Sequence, residues 1–202
     1  MVTIGVTGHR FLTQVDKITA GVDEALRRIE AAFDAPPMAV ISLLAQGADR
    51  LVVQRVFARW PAAELIVPLP LPQADYVTDF PSPESRDVFL DLLSRADRVI
   101  TLPPSPRRDE AYAAAGRYVL DHCDVLLAVW DGKPAQGTGG TTEIVAEARR
   151  RGLPLAWVHA GNREPGTQRP VSLGRDQGKV TFERFPTTHP LRDRHHGPRR
   201  LR

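Results

Sequence analysis

Val125-Leu126-Leu127-Ala128-Val129-Trp130 sets six apolar residues in a row, between Asp124 and the turn-forming pair Asp131-Gly132. Successive residues of a strand point to opposite faces, so a strand with no polar position is apolar on both faces and needs cover on both. That is the position of a central strand in a parallel sheet flanked by helices. At six residues the run falls far short of a membrane span, and no stretch of the chain approaches the roughly 20 apolar residues that a span requires.

The rest of the chain supplies the flanking elements. Val2 to Val6 is a short apolar run, and Asp16 to Phe33 then changes to helical spacing, with Ile18, Val22, Leu26, Ile29 and Phe33 recurring every three or four residues. Pro36-Pro37 stops that helix; Met38 to Leu44 reads as a second strand and Asp49 to Trp60 as the next helix. Leu65 to Val67 reads as a strand, Glu84 to Ala96 as a helix, Val99 to Leu102 as a strand, and Asp109 to His122 as a helix. After the central run, Glu143 to Arg151 is expected to be helical and Leu155 to Val158 extended; Val180 to Phe182 is a candidate edge strand. Strands alternating with helices imply right-handed crossovers and ligands at the carboxyl ends of the strands. The expected class is therefore α/β, a Rossmann-like three-layer fold with a mainly parallel central sheet. Residues 1–160 are expected to form this Rossmann-like domain, and 161–202, rich in Arg, Pro and Gly, a partly disordered extension.

Charge narrows the function less than it first suggests. The formal charge is +3 and the isoelectric point near 9.4, but the basic excess gathers at Arg192, Arg194, Arg199, Arg200 and Arg202, where a solvated tail accounts for it. No interleaved aromatic and basic pattern accompanies it, so nucleic acid is not the expected partner. The single cysteine, Cys123, has no partner for an internal disulfide and no metal-ligand spacing around it, which fits a reducing, cytoplasmic setting with neither metal nor cofactor.

Chemistry concentrates in the loops that leave the carboxyl ends of strands. Asp131-Gly132-Lys133-Pro134-Ala135-Gln136-Gly137-Thr138-Gly139-Gly140-Thr141-Thr142-Glu143 joins the central strand to a helix. Residues without Cβ let backbone N–H groups close on an anion, and the helix presents its unpaired N–H groups and positive dipole end to the same point. Gly137, Thr138, Gly139, Gly140, Thr141, Thr142 and Glu143 are thus candidate phosphate ligands, with Asp131 and Gly132 near a sugar or base edge. The spacing is neither the Walker pattern nor Gly-x-Gly-x-x-Gly, which speaks against bound ATP hydrolysis and NAD-dependent hydride transfer. Gly8, His9 and Arg10 leave the first strand toward the same side, Arg10 as a forked permanent cation. Gly47 and Asp49 leave the second, Asp49 set to cap the next helix or to bond a ribose hydroxyl. Arg117, on the helix before the central strand, is a further candidate, and Glu143 is the carboxylate that would act as acid or base in an enzyme.

Gly5-Val6-Thr7-Gly8-His9-Arg10, Ala45-Gln46-Gly47-Ala48-Asp49-Arg50, Tyr112 with Gly116-Arg117, and Leu127 to Gly132 leading into Gly137 to Glu143 together resemble the SLOG superfamily, named for the Smf/DprA proteins and the Lonely guy enzymes. The resemblance spans roughly residues 2 to 158 and is strongest with the bacterial sensor-like branch that carries Gly-His-Arg and Trp-Asp-Gly elements. It implies a fold whose glycine turn binds a nucleotide or an ADP-ribose-like molecule, a homodimer, and a separate effector protein as partner, without a membrane. Lonely guy enzymes release a base from a nucleoside 5′-monophosphate with a Pro-Gly-Gly-x-Gly-Thr-x-Glu-Glu turn. Here Gly137, Gly140, Thr141 and Glu143 agree, while Gln136, Thr138 and Ile144 depart from it. Binding or sensing is accordingly the leading expectation. A phosphoribohydrolase using Glu143 and a DprA-like nucleic-acid accessory are the alternatives.

Overall fold

The computed structural model describes residues 2–134 and 140–186. In chain order the elements are β1 (Val2–Gly8), α1 (Val15–Phe33), β2 (Pro37–Ile41), α2 (Ala48–Arg59), β3 (Glu64–Leu69), α3 (Gln73–Val77), α4 (Pro83–Ser94), β4 (Arg98–Thr101), α5 (Arg108–His122), β5 (Val125–Trp130), α6 (Thr141–Arg151), β6 (Leu155–His159) and β7 (Val180–Glu183). Seven strands form one sheet in the order β4-β3-β2-β1-β5-β6-β7. Every neighbouring pair is parallel except β6 and β7. The α/β, mainly parallel, helix-flanked architecture expected from the alternation is the one found.

The two-sided burial of β5 is realised residue by residue. Val125, Leu127 and Val129 enter one core with Ile18, Val22 and Leu26 of α1 and Val52 and Val56 of α2. Leu126, Ala128 and Trp130 enter the other, with Val119 and Leu120 of α5 and Ile144, Val145 and Ala148 of α6. Each fully buried Val or Leu contributes about 1.5–3 kcal/mol, so a polar substitution anywhere in β5 strikes one core or the other.

Two departures from the expected elements have local causes. β2 ends at Ile41 rather than Leu44, because Leu44 takes a left-handed conformation, φ 56°. That turn is held by the Leu44 N–H on Ser42 Oγ at 3.0 Å and by Arg50 Nε on the Leu44 carbonyl at 2.9 Å. The second is α3, whose five residues are too few to display helical spacing. Its Tyr76 joins Phe80 and Phe89 in edge-on ring contacts with centroids 5.1 and 5.5 Å away.

The segment set apart in the sequence as 161–202 is described as far as 186, and β7 within it pairs with β6 from Val180 opposite Val158 to Glu183 opposite Leu155. Buried Gln177 ties the intervening loop down: its Oε1 accepts from Gly161 and Leu173 N–H, and its Nε2 donates to the Thr13 carbonyl. Gly137, Thr138, Gly139 and the arginine-rich end, 187–202, lie outside the described residues. No described helix is long and apolar enough to cross a membrane.

Candidate functional site

β1 is flanked by β2 on one side and β5 on the other. The chain thus reverses its direction of travel across the sheet beside β1, and the loops after β1 and β5 part to leave a crevice at the carboxyl ends of the strands. Open α/β sheets bind ligands at such a switch point. The crevice here is a cleft of about 530 Å³, within the ~300–1,000 Å³ of small-molecule sites.

The wall from β1 is built by close approach. Gly8 leaves no room for a side chain, since a Cβ there would lie 2.4 Å from Ala48 Cβ. His9 is buried, and its Nε2 accepts the Asp131 backbone N–H at 3.1 Å while standing 3.2 Å from Asp131 Oδ1. Burial outweighs the neighbouring carboxylate and lowers the His9 pKa. That lowering favours the uncharged ring, which can accept the Asp131 N–H at Nε2 when its proton is on Nδ1. It is a latch between the ends of β1 and β5. Arg10 sits with its guanidinium carbon 5.5 Å from the Tyr112 ring centroid, and the Tyr112 hydroxyl donates to Asp79.

The facing wall is the start of α6. Gly140 is its N-cap and supplies no side-chain cap. Gly140, Thr141 and Thr142 line the cleft, and Lys133 lies beside them. The Thr142 hydroxyl is already committed, accepting from Trp130 Nε1 and donating to the Lys133 carbonyl, both at 3.1 Å. What remains for a ligand here, among the described residues, is Thr141, backbone N–H and the helix dipole, which favour an anion.

Asp49 forms the third wall, and the expectation that it caps α2 is corrected. Gly47 is the N-cap, and Asp49 stands inside the first turn. Its carboxylate accepts from Ser42 Oγ at 3.0 Å, and the nearby backbone of Ala45 and Leu43 favours its charged form. Burial nonetheless pushes its pKa up to about 6 from an ordinary 3.8. The folded chain then holds this proton more tightly than the unfolded chain, so the stability it contributes is complete below about pH 4 and lost as pH rises through about 6. A shift of about two units corresponds to roughly 3 kcal/mol. Asp49→Asn, which keeps the shape without the charge, is expected to gain on the parent by about 2–3 kcal/mol between pH 4 and pH 8. Urea denaturation at the two pH values measures the difference; a constant gap would show that Asp49 is not a strained buried charge.

The remaining candidates divide. Asp131 lines the cleft and accepts the Lys133 N–H at 3.1 Å, and Gly132 turns beside it with φ 77°. Gly47 lines a shallower neighbouring groove instead. Glu143 is half-buried in the first turn of α6 but does not line the cleft, and Arg117 lies on the exposed face of α5. Sequence reasoning missed Phe11, Asn162 and Arg163, all on the cleft wall, with the Arg163 guanidinium carbon 4.9 Å from the Phe11 ring centroid. β6 is parallel to β5, so the loop after it belongs to the same edge. That rule, applied to Gly161-Asn162-Arg163, is the signal that was there to use.

No family model matches the chain, and no curated protein matches it. Among solved structures it is similar to the X-ray structure of DNA processing protein A (DprA) from Streptococcus pneumoniae, with a TM-score of 0.50 and 16% identity over 77% of this chain and 49% of that one. The likeness is one of fold. The chain spans about half the length of that protein, and its helix-flanked parallel sheet agrees with the fold implied by the motif resemblance.

Proposed function

We propose that this chain binds a nucleotide or a nucleotide-derived phosphate, such as an ADP-ribose-like molecule, across the switch-point cleft. The phosphate rests on the N-terminus of α6, and Arg10 closes on it from the β1–α1 loop. The observation that carries the reading is a gathering of three cations on the cleft wall, beside the carboxylates of Asp49 and Asp131. Arg10, Lys133 and Arg163 all line the cleft, and none is ion-paired among the described residues. Cations left unpaired around an uncapped helix N-terminus suit a ligand that brings its own negative charge.

A ligand at a hundredfold its Kd stabilises by about 2.7 kcal/mol, which for a chain of this size raises Tm by roughly 5–10 °C. A panel of nucleoside mono- and diphosphates and ADP-ribose, read by thermal unfolding, is expected to contain at least one such shift. A flat panel would sink the reading.

The reading accords with the resemblance to sensor-like SLOG domains, in which a free-standing sensor acts through a separate effector. Hydrolysis by Glu143 has less support, because the carboxylates that line the cleft are Asp49 and Asp131; release of adenine from AMP, lost in Glu143→Ala, would reverse that order. The accessory role on nucleic acid rests on 187–202, outside the described residues.

A further inference from the structure

Asp49 is 5% exposed and yet lines the cleft, so only one edge of it meets the open space. An ionised carboxylate offers about four acceptor positions. Ser42 Oγ takes one of them, and the backbone of Ala45 and Leu43 lies close enough to favour the charge. Arg10 is close enough to favour the charge but makes no ion pair with it among the described residues. Nor does Asp49 cap the helix, since Gly47 occupies that position. A carboxylate kept ionised against burial, on a cleft wall and without a capping task, marks a functional position.

Its place in the sheet sets which end of a ligand it reads. α6 follows β5, Asp49 follows β2, and β1 lies between the two strands. α2 and α6 pack on opposite faces of the sheet, so the α6 N-terminus and Asp49 stand on different walls of the cleft. A phosphate bound at the first point leaves the sugar hydroxyls and the base to reach toward the second.

We infer that Asp49 is the specificity-determining residue of the cleft, accepting one hydrogen bond from a single O–H or N–H donor carried by the ligand at the end remote from its phosphate. The inference rests on the nucleotide reading above. It makes Ser42, bonded to the carboxylate at 3.0 Å, the positioning residue that aims the edge left facing the cleft.

The test uses the full chain with AMP, 2′-deoxy-AMP, 3′-deoxy-AMP and purine riboside 5′-monophosphate, which lacks the amino group; if another nucleoside monophosphate of the panel binds more tightly, it and its matching analogues take their place. Titration calorimetry gives each Kd. Losing one hydrogen bond to a charged acceptor is expected to weaken one analogue about tenfold to a hundredfold against the parent. That analogue and the intact nucleotide should then bind Asp49→Asn within about twofold of each other. Equal affinity of all analogues for the parent overturns the assignment, as does a preference that persists in Asp49→Asn. Should that variant fail to fold, the parent's analogue series still decides whether a single donor is read, and Ser42→Ala, which frees a second acceptor position, should shrink the preference; an unchanged preference there overturns the assignment. A flat nucleotide panel fails the binding reading and this one with it, whereas a positive panel with indifferent analogues fails this one alone.

Discussion

Gly47→Ala is expected to destabilise the chain by about 3–5 kcal/mol and to lower Tm by roughly 10 °C or more. Gly47 has φ 88° and ψ −118°, a region in which a Cβ is strained at a cost of about 1–3 kcal/mol. The same Cβ would lie 2.4 Å from the Arg10 carbonyl oxygen and 2.6 Å from that of His9. Both neighbours are backbone, and the His9 carbonyl also accepts the Ala48 N–H at 3.0 Å, so neither withdraws without moving the β1–α1 loop. Gly152 is the control. It too is left-handed, φ 73°, but a Cβ there meets nothing within 4 Å, so Gly152→Ala should cost only about 1–2 kcal/mol. If urea denaturation gives the two variants equal losses, the close crossing of the β1–α1 loop over the start of α2 is wrong.

Gly47 also shows what sequence can and cannot convey. Its place at the end of a strand was readable from Gln46-Gly47-Ala48-Asp49, and a role in close approach to a ligand follows from the missing Cβ alone. What approaches it in the fold is the chain itself, at His9 and Arg10, and no local pattern reveals a crossing of segments almost 40 residues apart. The sheet was legible because burial on both faces leaves a mark on every residue of β5, and helical spacing a mark on every turn of α1. The positions of Arg10, Asp131 and Thr141 on the cleft followed from one topological rule about strand ends. Asp49 was found for partly the wrong reason, because the cap is decided by backbone geometry at Gly47. Arg163 was overlooked because Gly, Pro and Arg around it read as a solvated extension, while its tether is Gln177, buried through bonds to Gly161, Leu173 and Thr13 that depend on tertiary structure. Thr142 was expected as a phosphate ligand, and the Trp130 partner of its hydroxyl is visible only once β5 and α6 are packed together.

Gly140→Asp is expected to move stability and binding in opposite directions, which is why it tests the anion site more sharply than a disruptive change. At the N-cap of α6 a Cβ meets nothing within 4 Å among the described residues, and the present residue supplies no side-chain cap. Aspartate is among the best N-caps, able to accept from the N–H groups of the first turn and to complement the helix dipole. The variant should therefore fold with unchanged or slightly higher stability, by a few tenths of a kcal/mol. For a phosphate the same carboxylate is a competitor and a repulsive charge. It occupies the N–H groups the phosphate needs, and at ~5 Å with an effective dielectric constant of ~20 two unit charges repel by about 3 kcal/mol. That corresponds to roughly a hundredfold loss of affinity. Gly140→Asn separates the two contributions, since it caps without the charge and should lose distinctly less. Calorimetric Kd values for the best nucleotide of the panel, set beside urea midpoints for the three proteins, decide the matter. If Gly140→Asp binds as tightly as the parent while remaining folded, the phosphate does not sit on α6, and the cations Arg10, Lys133 and Arg163 serve some other end of the ligand.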